Sequence, residues 1–78
     1  MKNGTIRLRY WRNHSTNFRY FKPSDFVLFL ENVRRLIGNV PMRFDVYWNG
    51  KWHPCHTVTD VKEDLKRIVE DGGEITNG

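Results

Sequence analysis

The chain has one cysteine, three prolines and no run of apolar residues longer than the five from Phe26 to Leu30. Cys55 has no partner within the chain, which excludes an internal disulfide and accords with a reducing compartment. Five apolar residues fall far short of the roughly 20 that a membrane helix needs, and no signal-like apolar block follows Lys2. The expectation is a soluble, cytoplasmic protein without a membrane partner. Asn13-His14-Ser15 satisfies the glycosylation sequon, but without a secretion signal the match is chance. Seventy-eight residues leave room for one core only, which excludes repeat arrays and two-domain enzymes.

Acidic residues are missing altogether from the first 22 positions, where Lys2, Arg7, Arg9, Arg12, Arg19 and Lys22 give a charge of +6. Residues 23–39 balance to zero, residues 40–59 carry +1, and residues 60–78 carry −3. The net +4 therefore hides a polarised molecule, and charge location says more than the total. Aromatic side chains make up 14 % of the chain, and these bulky groups let so short a sequence fill a core.

Ile6, Leu8 and Tyr10 alternate with Arg7, Arg9 and Trp11, the period of a half-buried strand. The polar run Asn13 to Asn17 supplies turn chemistry, and Phe18-Arg19-Tyr20-Phe21 resumes the alternation. A hairpin of residues 4–12 and 17–22 follows. Pro23 and Asp25 suit the first turn of a helix. Phe26, Phe29, Leu30, Val33, Leu36 and Ile37 give that helix an apolar stripe, and Gly38-Asn39 caps it before Pro41.

Met42, Phe44, Val46 and Trp48 form the inward set of a third strand, which Asn49-Gly50 turns into a second hairpin. A two-residue turn pairs Trp48 with Lys51, Tyr47 with Trp52, Val46 with His53, Phe44 with Cys55 and Arg43 with His56. A bulge at Pro54, which cannot donate to the ladder, would shift the phase and turn Val58 inward. Thr59 or Asp60 caps a last helix with Val61, Leu65, Ile68 and Val69 on its apolar side, ending at Gly72-Gly73. On its surface, Glu63 with Arg67 and Lys66 with Glu70 read as solvated pairs. The pattern predicts an α+β fold: a four-stranded antiparallel sheet with two helices packed on one face. Residues 1–73 form the single domain and residues 74–78 a tail.

His53-Pro54-Cys55-His56 is the cluster closest to chemistry, since imidazole and thiolate are zinc ligands. On a strand, however, His53 and Cys55 point one way and His56 the other, and no second cysteine exists. Cys55 also lacks a third group to orient a histidine base. Packing of Cys55 beside Phe44 is the simpler reading. No glycine-rich loop cradles a phosphate, and no carboxylate pair is set for acid–base work. The expectation is a non-enzymatic protein with no metal and no cofactor.

The feature with most content is the basic, aromatic outward face: Arg7, Arg9, Trp11 and Arg19 on the first hairpin, extended by Arg43, Tyr47, Trp52 and His56 if both hairpins share one sheet. Arginine grips carboxylate or phosphate bidentately while an exposed ring stacks. Arg7, Arg9, Trp11, Arg19, Arg43, Tyr47 and Trp52 are therefore the expected partner-binding residues. An acidic protein surface is the first choice of partner, because hydrophobic anchors with an arginine rim give specificity. Nucleic acid is the second choice, with Trp11 or Trp52 stacking on bases. A homodimer through the same aromatic residues is compatible with the pattern. Small, motif-free chains of polarised charge are also of the kind phages and other mobile elements carry as accessory or host-inhibiting proteins.

Overall fold

In the computed structural model, which describes residues 1–70, the chain runs β1 (Ile6–Arg12), β2 (Ser15–Phe21), α1 (Phe26–Leu36), β3 (Met42–Trp48), β4 (Lys51–Cys55) and α2 (Val58–Glu70). The strands form one antiparallel sheet in the order β2-β1-β3-β4, giving the expected α+β fold. β1 and β3, distant in sequence, lie side by side at its centre. The expected helix end at Gly72-Gly73 and the tail from Glu74 lie outside the described residues.

The first turn is tighter than the polar run suggests. Asn13 (φ 54°) and His14 (φ 63°) both adopt the left-handed conformation, the mark of a two-residue type I′ turn. β2 therefore begins at Ser15 and not at Asn17, and the register is fixed as Arg12 opposite Ser15, Leu8 opposite Arg19 and Ile6 opposite Phe21. Residues directly opposite share a sheet face. Phe21 thus joins Ile6 and Leu8 in the core, while Phe18 and Tyr20 turn outward.

Pro23 to Asp25 form a 3-10 turn, and the α-helix proper starts at Phe26. α1 buries Phe29 and Val33. At its end Gly38 takes φ +83°, where a side chain would be strained. Asn39 N donates to Leu36 O at 3.0 Å, so Gly38-Asn39 closes the helix as expected. Ile37, assigned by periodicity to the apolar stripe, lies past the helix and is exposed. It adopts an extended conformation that lifts it off the core.

Asn49-Gly50 makes the second tight turn, and the pairs from Trp48–Lys51 to Phe44–Cys55 form as the sequence predicts. No bulge interrupts them. Asp45 stands opposite Pro54, which is tolerated because β4 is an edge strand whose outer side needs no ladder donor. The expected Arg43–His56 pair does not form, because the chain leaves the sheet after Cys55. The cap of α2 is Thr57, not Thr59 or Asp60. Asp60 N donates to Thr57 Oγ1 at 3.1 Å, while Asp60 Oδ2 accepts from the backbone N–H groups of His56 and Thr57, both at 3.2 Å. This reciprocal box satisfies amide groups that the helix itself leaves unpaired.

One core cluster joins Ile6, Leu8, Phe21, Phe44, Val46 and Cys55 of the sheet with Phe29 and Val33 of α1 and Val61 and Ile68 of α2. Phe29 lies at its centre, with ring centroids 5.6 Å from Phe21, 5.7 Å from Phe26 and 5.7 Å from Phe44. Val69, expected in the α2 stripe, is exposed, as the helical phase favours Ile68. On the surface of α2, Lys66 pairs with Glu70 as expected, but Arg67 turns to Asp64 at 3.8 Å instead of Glu63.

Candidate interaction surface

The sheet face away from the core is assembled by register. β1 contributes Arg7, Arg9 and Trp11. Opposite them on β2 stand Tyr20, Phe18 and Thr16. On β3, Asp45 lies beside Arg7 and Arg43 beside Arg9, and Tyr47 pairs with Trp52 of β4. Six of the seven residues singled out from the sequence therefore share one face: Arg7, Arg9, Trp11, Arg43, Tyr47 and Trp52.

Arg19 is the exception and corrects the sequence reading. Opposite Leu8, it projects to the core side of the sheet, because the two-residue turn shifts the phase of β2 by one position relative to a reading that pairs it with the arginines. The same shift brings Phe18 and Tyr20 onto the outer face, where they are 49 % and 53 % exposed. The signal for this lay in Asn13-His14, two residues of the kinds that tolerate positive φ. His56 is also not part of the sheet face, since β4 ends at Cys55.

Asp45 is the buried centre of the outer face, with only 2 % of its surface exposed. Arg7 Nε donates to Asp45 Oδ2 at 3.2 Å, and Arg9 Nη2 donates to Oδ1 at 3.3 Å. Arg9 Nε lies 2.8 Å from Oδ2, but its N–H is not aimed at that oxygen and is buried without a hydrogen-bond partner. That contact is an ion pair by proximity alone. A carboxylate so enclosed requires its cations, since burying an unpaired charge is very costly.

Above the Asp45 pair, Trp52 reaches across from β4 and covers Arg7, with the guanidinium carbon 4.2 Å from the ring centroid. Trp52 meets Tyr47 edge-on at 5.1 Å and Tyr20 at 6.0 Å, so rings from the two outermost strands, β2 and β4, close over the central arginine. Arg9 and Arg43 face each other as direct neighbours, a like-charge pairing that opposes sheet stability. The face thus carries three guanidiniums against one carboxylate, with the exposed rings of Trp11, Phe18 and Tyr20 around them.

The histidine–cysteine cluster is separated. His53 Nε2 lies 3.0 Å from Trp48 O. Cys55 is buried opposite Phe44. Its Sγ donates to Asp64 Oδ2 at 3.2 Å. Burial first, and then the hydrogen bond to Asp64, push the thiol up to about 12, the reverse of the shift that activates a nucleophilic cysteine. Among the described residues no three His, Cys, Asp or Glu side chains gather to hold a metal ion, and no helix is long and apolar enough to cross a membrane. Comparison with family models, with curated proteins and with solved structures finds no match to this chain.

Proposed function

We propose that the protein is a non-enzymatic binding protein that docks its outer sheet face on an acidic surface of a larger protein. The observation that carries this reading is the preassembled cluster of Trp52, Tyr47, Tyr20 and Arg7 over buried Asp45, flanked by Arg9 and Arg43. Its rings are already engaged with one another. They form an apolar patch with an arginine rim, the composition enriched at protein interfaces, and ordering them before contact lowers the entropy cost of docking. A carboxylate from the partner between Arg9 and Arg43 would relieve their mutual repulsion. Occupying an acidic surface in this way blocks it to other ligands.

A second reading is supported by Trp11, Phe18 and Tyr20, whose exposed rings beside arginines suit stacking on the bases of a single strand.

The test uses variants that leave Asp45 paired, since Arg7 and Arg9 both hold it. Arg43→Glu and Phe18→Ser, each folded by circular dichroism, are compared with the parent in capture from the native host, scoring protein and nucleic acid together. The expected result is one protein that the parent retains and both variants lose. In parallel, labelled single strands are titrated at two salt concentrations; steeply salt-dependent binding lost in the same variants favours nucleic acid. A partner retained equally by all three proteins overturns the use of this face.

A further inference from the structure

On the side of the sheet opposite the aromatic cluster, Arg12, Arg19 and Arg35 line one pocket of about 280 Å³ together with Tyr10, Asn32 and Leu36. Arg12, Arg19 and Tyr10 come from the first hairpin, where the register puts them on one face, and Arg35 comes from the last turn of α1. Among the described residues, no acidic side chain lines the pocket. Among the described residues, none of the three guanidiniums has a salt-bridge partner, and Glu31, one helical turn before Arg35, forms no ion pair with it.

Three cations drawn together with no counter-charge among the described residues repel one another, and each guanidinium has donors left for a ligand. We propose that Arg12, Arg19 and Arg35 form a binding site for a phosphate group. A single carboxylate has two oxygens and satisfies two guanidiniums well. A phosphate or phosphomonoester is tetrahedral, carries up to two negative charges and offers three or more acceptor oxygens, which matches three arginines approaching from three elements, β1, β2 and α1. Leu36 supplies an apolar wall. The volume lies at the lower edge of small-molecule pockets, so it suits a phosphate or a small phosphorylated molecule and not a bulky cofactor. This site shares no residue with the outer face and does not depend on that face having a partner.

The probes are inorganic phosphate and O-phosphoserine, titrated into the full chain at two salt concentrations and followed by NMR through arginine side-chain and backbone shifts. The expected result is saturable binding in the millimolar range or tighter, with shifts at Arg12, Arg19 and Arg35, weakened at least about tenfold by Arg19→Gln with Arg35→Gln. Lys22→Gln with Arg34→Gln, which lowers the net charge equally, leaves it unchanged. All these residues are exposed, and both double variants are checked for folding by circular dichroism. If phosphoserine binds more tightly than phosphate, the pocket takes an ester; if phosphate binds more tightly, it takes the free ion. Absence of saturable binding by either probe, or equal weakening in both double variants, overturns the proposal.

Discussion

Arg7 is held on two sides: Trp52 covers its guanidinium at 4.2 Å while the buried carboxylate of Asp45 accepts from its Nε at 3.2 Å. A charge that would ordinarily be solvated is instead fixed within a sheet face, and most of the outer surface is organised around it.

Replacing the cover should be felt as stability. Trp52→Ala removes a cation–π contact worth about 0.5–1 kcal/mol and two aromatic pairs worth about 0.5–1.5 kcal/mol each when well formed. Because the rings are partly exposed, the expected loss is about 1–3 kcal/mol in urea denaturation, with Trp52→Phe keeping roughly half. A loss within error of zero would show that the cover is decorative.

Asp45→Asn leaves Arg7 and Arg9 facing each other without a negative charge. Breaking a buried pair costs about 3–5 kcal/mol when the remaining charge cannot reach water. Here the arginine side chains keep 19 % and 31 % exposure and can hydrate in part, so about 2–3 kcal/mol is expected. Adding Arg9→Met should return part of that loss. A double-mutant cycle showing strict additivity would contradict the coupling.

The Cys55 thiol is raised to about 12 from its ordinary 9.0. Between those values the folded state holds a proton that the unfolded chain has released, so stability falls as pH rises through this window. Below about pH 9 the thiol is protonated in both states, and its contribution is fully present. Two outcomes follow. The folded protein resists iodoacetamide at pH 8 and reacts once unfolded in urea, and between pH 9 and 11 it loses stability faster than Cys55→Ala. Rapid alkylation of the folded protein would contradict the burial.

Thr57→Ala removes the side-chain acceptor at the start of α2 and should cost about 1 kcal/mol, with Thr59→Ala nearly neutral. Chemical denaturation of the two variants distinguishes them directly. The opposite ranking would return the cap to the position that periodicity alone suggests.

The second hairpin was legible because Asn49-Gly50 is nearly unambiguous, and every pair down to Phe44–Cys55 followed from it. β1 and α1 were legible because their apolar spacing is strong. β2 was not, since Phe18, Arg19, Tyr20 and Phe21 read as a half-buried strand in either phase and only the turn decides between them. Asp45 was invisible for another reason: its pairing depends on β1 lying beside β3, a contact across 36 to 38 positions that local pattern cannot supply. The α2 cap was misplaced because three neighbouring residues, Thr57, Thr59 and Asp60, could each serve, and two of them act together.

The turn at Asn13-His14 has a reach beyond its two residues. Since strand side chains alternate, one residue inserted there while the turn keeps its two-residue form would slip the register by one, carry Arg19 and Phe21 to the outer face and drive Phe18 and Tyr20 against α1. The ring of aromatics would lose a wall and the arginine pocket a member, with no side chain replaced. The register set at this one corner thus assigns the chemistry of both surfaces.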